Sequence, residues 1–227
     1  MSNLNNIQRK ISEGVSGWLL FEFHCFRGLI FSEKYLAYPV GQILNGITEY
    51  KTNTEISHPL SNNTQGRPLQ VDFVLLEDTA WKYAIETKWI GDSKISLGSL
   101  IWDLIRLQNL FTDYPDIKCY FLLAGFNKKI DDLFANIEVT YNKDSTKISS
   151  ITSINQSKLT FNLNKLDSGT KEFLNKKLNK YPKFKLYSKI FCKPAHKYPN
   201  SEVYNMTFST YTFEVLKANE TLKIKSL

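Results

Sequence analysis

The chain has 227 residues, of which 42% are hydrophobic, and it carries a net charge of +7. This composition excludes wholesale disorder and allows one large domain or a domain with an extension. The positive charge favours a polyanionic partner. The three cysteines lack metal-finger spacing, so we expect free thiols in a reducing compartment. The polar N-terminus is not a signal peptide and no run is apolar enough to span a membrane, so we expect a cytoplasmic protein.

The first half of the chain predicts an α/β core in the order α, β, β, β, α, β. Ser32 is a predicted helix start and Pro39 a kink or short break. The predicted elements are a helix over 4–31 with a second helical piece after it, a strand over 47–57, a hairpin over 70–90 that turns at Glu77-Asp78, a helix over 94–111 and a buried strand over 117–124.

The second half predicts an α+β extension, residues 127–227, packed on the core of residues 1–126. Strands are predicted over 137–141, 159–163, 184–192 and 203–216, and a short basic helix over 168–180. No long linker, low-complexity block or internal repeat separates the two halves.

The predicted hairpin carries two acids and a lysine inside otherwise apolar strands. Asp72 lies on its first strand, and Glu86 and Lys88 share one face of its second strand. A charge at a half-buried position is costly unless it is paired or holds a metal. On the helix that follows, Asp103 and Arg106 are three residues apart, which predicts a solvated ion pair.

The first helix also carries an acid on an apolar stripe. Val15, Trp18, Cys25 and Leu29 keep heptad spacing, and Glu22 occupies the missing position of that stripe. A carboxylate there indicates either a functional residue or a glutamate that reaches solvent.

Acid-x-Lys tripeptides also occur elsewhere in the chain, but only Glu86-Thr87-Lys88 lies inside an apolar strand that follows a strand with an acid. This set resembles the PD-(D/E)XK nuclease superfamily, in which a helical Glu precedes a hairpin with Asp and Glu-x-Lys. Glu22, Asp72, Glu86 and Lys88 match these roles, although Glu13 and Glu33 compete for the helical one. Val71 stands where the superfamily usually has Pro. The resemblance covers residues 1–126 and implies a restriction-endonuclease-like αβββαβ core.

The resemblance also implies a mechanism. Asp72, Glu86 and the Thr87 carbonyl would bind Mg²⁺, for which Mn²⁺ can substitute, Lys88 would orient or deprotonate the attacking water, and Glu22 would assist. The implied function is a DNA endonuclease of restriction or anti-phage defence, acting as a homodimer or with a partner subunit. The alternatives are a catalytically inactive subunit that binds nucleic acid or assembles a defence complex, an RNA-directed nuclease, and a buried ion-pair network without chemistry.

Residues 171–197, the lysine-rich segment, contain nine lysines and one acid. They predict either a surface that contacts nucleic-acid phosphates or a solvated face whose interleaved aromatic residues belong to the core. The lysines assigned to the nucleic-acid surface are Lys171, Lys176, Lys177, Lys180, Lys183 and Lys185.

Overall fold

The computed structural model describes residues 6–61, 68–91, 95–135, 139–141, 146–147, 159–193, 198, 208–219, 223–224 and 227. The helices in these ranges are α1 Ile7–His24, α2 Glu33–Ile47, α3 Leu97–Leu110, α4 Asn127–Ala135 and α5 Ser168–Lys180. The strands are β1 Lys51–Ser57, β2 Gln70–Glu77, β3 Ala80–Ile90, β4 Lys118–Phe126, β5 Val139–Tyr141, β6 Thr146–Lys147, β7 Leu159–Asn162, β8 Leu186–Tyr187, β9 Lys189–Lys193, β10 Phe208–Val215 and β11 Lys223–Ile224.

The described strands form a nine-stranded mixed sheet in the order β1-β2-β3-β4-β10-β9-β7-β5-β6, while β8 pairs with β11. β1, β2 and β3 are antiparallel neighbours, and β3 and β4 are parallel. Parallel neighbours need a crossover connection, and α3 lies in that connection. The predicted α/β class is therefore confirmed. No helix in the described ranges is both long and apolar enough to cross a membrane.

Helices cover both faces of the sheet, because the strands are apolar on both sides. On one face, α1 and α2 contribute Ile11 and Leu36 to a core that includes Phe73 and Ile85. On the other face, α3 contributes most of its length to a second core. Burial of apolar surface stabilises this arrangement by about 25 cal/mol per Å².

The first helix is shorter than predicted. It ends at His24, because Phe26 adopts a left-handed backbone (φ 59°), the Arg27 N–H bonds to the Glu22 carbonyl, and the Phe26 N–H bonds to the Phe23 carbonyl. This is a Schellman-type helix end with phenylalanine where glycine is usual. The predicted core position Leu29 is fully exposed as a result.

The second helix begins as predicted and continues further than predicted. The Ser32 side chain caps α2 by accepting the Tyr35 N–H (3.1 Å). α2 then runs as one helix through Pro39, so of the two expectations, a kink or a short break, the break is wrong.

The second half shares the sheet of the first half. β10 pairs with β4 over its whole length, and the predicted helix over 168–180 is confirmed as α5. The predicted strand over 184–192 is divided into β8 and β9. α4 was not predicted, because its nine residues present only a short apolar stripe beside a polar sequence.

Candidate functional site

The hairpin residues meet where the pairing of β2 with β3 stops. The backbone pairing of β2 with β3 ends at Phe73 and Ile85. Beyond this point Asp72 replaces the backbone as acceptor: its Oδ2 accepts both the Thr87 N–H and the Thr87 hydroxyl, each at 2.8 Å. Burial raises the pKa of Asp72, against the two hydrogen bonds from Thr87.

Strand geometry places a second oxygen at this point. The N–H and C=O groups of one strand residue point to the same strand edge. The Thr87 N–H points to the edge that faces Asp72, so the Thr87 carbonyl lies on that edge too. β2 also bends here, since Val71 packs in the α3-side core while Phe73 packs in the opposite one. On a regular strand, residues two apart such as these would share one face, so the alternation of faces is interrupted at Asp72.

Glu86 is 3% exposed, and its carboxylate forms an ion pair with an arginine of α3. An Arg106 Nη2–H donates to Glu86 Oε1, and the same nitrogen donates to the Gln70 carbonyl at 2.8 Å. Burial raises the pKa of Glu86 well above its usual range, and Arg106 only partly opposes this effect. The carboxylate thus depends on a neighbouring cation for its ionised form.

Lys88 is held by two carboxylates. Its Nζ lies 2.8 Å from Asp103 Oδ2 and 3.1 Å from Glu33 Oε2. Burial lowers the pKa of Lys88, but the charges of Asp103 and Glu33 outweigh burial, and the net pKa is raised. Lys88 is therefore an ammonium group in this arrangement.

Asp103 and Arg106 were missed by sequence reasoning. The predicted solvated ion pair is wrong: the pair exists, with Arg106 Nη1 3.4 Å from Asp103 Oδ1, but both side chains are about nine-tenths buried. They connect Glu86 to Lys88. A signal was present, because these are the two charged residues of an otherwise apolar or neutral helix, and such a helix is buried on several sides.

Four acids and two bases thus form one network, which is largely buried except for the half-exposed Glu33 at its edge. Its members are Glu33, Asp72, Glu86, Lys88, Asp103 and Arg106. With every group ionised, four negative and two positive charges leave a net charge of −2, of which the half-exposed Glu33 contributes one negative charge. A buried net negative charge is costly without a further cation.

The structure does not bring Glu22 to the hairpin. Its carboxylate accepts two hydrogen bonds from Arg27, and these bonds lower the pKa of Glu22. Glu13 pairs with Arg9 one helix turn away on the exposed side of α1. Of the three acids weighed for the helical role, Glu33 at the start of α2 is the one that contacts Lys88.

The lysine-rich segment packs against α3 through its aromatic residues. Among its described aromatic residues, Tyr181 and Phe184 are buried and pack against Trp102 of α3. These rings belong to the core and do not form a stacking surface.

The lysines of this segment from Lys171 to Lys193, which the structure describes, are exposed or half-buried. Lys176 pairs with Glu172 and Lys171 donates to the Asn164 carbonyl. Lys177 and Lys180 lie over aromatic rings at 5.4 and 5.5 Å. Lys183 is exposed, while the Lys185 backbone N–H donates to Asn109.

The oxygen donors of the hairpin residues are of the kind that a magnesium ion binds. Within the described ranges, no three or more His, Cys, Asp and Glu side chains form a group that could hold a metal. The set expected from the sequence is smaller: the carboxylates of Asp72 and Glu86 and the Thr87 carbonyl. All three are oxygen donors, and Mg²⁺ typically takes one or two carboxylates and keeps several waters. The net charge of −2 in the network favours such a cation.

Comparison of the chain with protein-family models, with curated proteins and with solved structures finds no match.

Proposed function

We propose that the chain is a metal-dependent nuclease that hydrolyses DNA phosphodiester bonds, with a restriction-endonuclease-like core in residues 1–126. The observation that carries the proposal is the contact of Asp72 with Thr87, the middle residue of Glu86-Thr87-Lys88. This contact joins the acid of one strand to the acid and lysine of the next. The buried network of charges around them supports a catalytic use, because structural cores seldom hold so many ionised groups.

Each residue has a role in this proposal. Asp72, Glu86 and the Thr87 carbonyl would hold Mg²⁺ or Mn²⁺. When bound, the cation polarises the scissile phosphate and lowers the pKa of a water molecule. Lys88 would contact the phosphate and offset the charge that develops on it. Because two carboxylates hold its ammonium form, Lys88 would orient water and phosphate and would not act as the base.

Three residues would position this set. Asp103 and Glu33 orient the Lys88 ammonium group through their ion pairs, and Arg106 orients the Glu86 carboxylate in the same way. In the proposal Glu33 takes the helical role that the sequence had assigned to Glu22.

The partner in this proposal is DNA, and the proposed biological setting of the enzyme is restriction or anti-phage defence in the cytoplasm. The net charge of +7 and the exposed lysines of α5 support a polyanionic partner. A homodimer or a partner subunit would supply the second site that cutting both strands requires.

A cleavage assay tests the proposal. Purified protein is incubated with supercoiled plasmid or with RNA, in the presence of Mg²⁺, Mn²⁺ or EDTA. We expect plasmid cleavage with either metal, none with EDTA, and loss of cleavage in Asp72→Asn and Lys88→Met. Lys82→Met is the matched control, since Lys82 lies on the same strand but pairs with Glu77 at the surface.

A second candidate is a nuclease-fold subunit that binds nucleic acid without cutting it. The observation in its favour is that Glu86 and Lys88 are both paired with internal partners. DNA binding with no cleavage under any metal would select this candidate. Cleavage that survives both Asp72→Asn and Lys88→Met would refute the site, and cleavage of RNA alone would make the enzyme an RNA-directed nuclease.

A further inference from the structure

An apolar groove lies beside the buried charge network. It consists of two adjoining cavities of about 420 and 490 Å³ that share Gly28, Leu29, Phe31 and Phe126. We call it the aromatic groove. Its further lining residues are Phe23, His24, Phe26, Ser32, Glu33, Trp89 and Ile95. Cavities of this size with a mostly apolar and aromatic lining are typical of sites for small molecules or flat rings.

The floor of the aromatic groove is a set of aromatic rings packed on one another. Phe31 packs edge-to-face on Trp89 with ring centroids 5.4 Å apart, and Trp89 packs on Phe126 at 5.8 Å. The rim is different, since Phe26 and Leu29 are 95% and 101% exposed. A folded chain seldom presents two such side chains together without a partner.

The aromatic groove shares a wall with the candidate active site. Glu33 lines the groove and also binds Lys88 Nζ. Trp89 follows Lys88 and therefore projects from the opposite face of β3, so Glu33 is the residue that connects the groove to Lys88. The groove opens where the parallel strands β3 and β4 end, at Ile90 and Phe126. Ligands of α/β sheets commonly bind outside the carboxyl ends of parallel strands. A molecule in the groove would therefore lie next to a phosphate held near Lys88.

The charged residues around the rim of the groove indicate the chemical class of its partner. Exposed Lys34 follows the lining residue Glu33, and exposed Lys128 lies two residues after Phe126. Apolar rings flanked by lysines suit a nucleotide chain, with bases on the rings and phosphates near the cations. They suit a second copy less well, because a two-fold interface would bring each lysine-flanked rim against an identical one.

We propose that the aromatic groove binds an unstacked nucleobase next to the scissile phosphate, so that the substrate is single-stranded DNA or a splayed strand. Bases in a duplex are stacked on each other and do not reach such a groove. The choice of substrate rests on the proposed nuclease function, whereas the base contact itself can be measured without cleavage.

The test is binding of fluorescein-labelled oligothymidylate, followed by anisotropy in EDTA. The variant Phe26→Ser/Leu29→Ser removes the rim, and Phe21→Ser/Tyr38→Ser is the control, since Phe21 and Tyr38 are also exposed but do not line the groove. We expect the dissociation constant to rise about fivefold or more in the rim variant, the effect of losing one base–aromatic contact, and to stay unchanged in the control. The salt dependence should not change, because no phosphate contact is lost.

Two comparisons complete the test. An oligonucleotide of abasic sites should bind the wild-type protein and the rim variant equally. Equal binding of oligothymidylate to both proteins would overturn the proposal. A wild-type dimer that becomes a monomer in the rim variant, measured by light scattering, would also overturn it by making the groove an interface between copies.

The two proposals can fail separately. Base-dependent binding without any cleavage by the wild-type protein would support the base-binding groove and refute the proposed nuclease activity. If the rim variant bound and cleaved single strands as the wild-type protein does, the base-binding groove would be refuted and the proposed nuclease activity would stand.

Discussion

Arg106→Met removes one of the two cations from the buried charge network. Methionine keeps the length of the aliphatic stem but leaves Glu86 without its ion-pair partner and the Gln70 carbonyl without its donor. Glu86 is 3% exposed, so water cannot replace the guanidinium. In the variant the buried Glu86 carboxyl must either keep an unpaired charge or take up a proton, and both cost stability.

The expected loss of unfolding free energy is about 4 kcal/mol, since breaking a buried ion pair by removing one partner costs about 3–5 kcal/mol. For a chain of this size each kcal/mol lowers Tm by about 2–4 °C. Tm should therefore fall by roughly 8–16 °C. Adding Glu86→Gln should restore part of the loss, because it removes the unpaired charge, and coupling between contacting residues is about 0.5–3 kcal/mol.

Urea unfolding followed by tryptophan fluorescence measures these differences. Arg9→Met is the matched control: Arg9 also pairs with a glutamate, but its side chain is 56% exposed, so little change is expected. If Arg106→Met destabilised the protein no more than Arg9→Met, or if the effects of Arg106→Met and Glu86→Gln were simply additive, the buried network would be refuted.

Three further predictions follow from the structure. Glu33→Gln should slow DNA cleavage about tenfold by releasing Lys88, while Glu22→Gln should leave cleavage nearly unchanged; equal effects in rate assays would remove Glu33 from its positioning role. The His58 ring accepts the Leu60 N–H at Nδ1 and donates through Nε2 to the Arg106 carbonyl, and burial lowers the pKa of His58 to about 4. Because the unfolded chain binds a proton at His58 that the folded chain does not, up to about 3 kcal/mol of stability should be lost as pH falls from about 6.5 to 4. Urea unfolding at a series of pH values should show that His58→Gln flattens this dependence of stability on pH. Charge reversal at Lys176, Lys177 and Lys180 should weaken DNA binding and its salt dependence, whereas reversal at exposed Lys51 should not; an unchanged salt slope would leave these lysines as a solvated face.

Helix and strand assignment came from local patterns. Alternation and turn chemistry placed the hairpin with Asp72, Glu86 and Lys88 in adjacent strands, and Ser32 marked the start of α2. The end of α1 was missed, because Phe26 takes the left-handed position that sequence rules reserve for glycine. The apolar stripe correctly placed Val15 and Glu22 among buried residues, but its position Leu29 is exposed, and it gave no indication that the partner of Glu22 is Arg27.

The sequence by itself determined most of the described elements and three charged residues of the candidate site, because periodicity reports which face of each element is buried. Only the tertiary structure decided which charges meet. Lys88 binds Glu33, 55 residues away, and Asp103 from the crossover helix, and β10 joins the sheet beside β4. Such contacts depend on how helices and strands pack, and an acid on a buried stripe has the same local pattern whatever partner it meets.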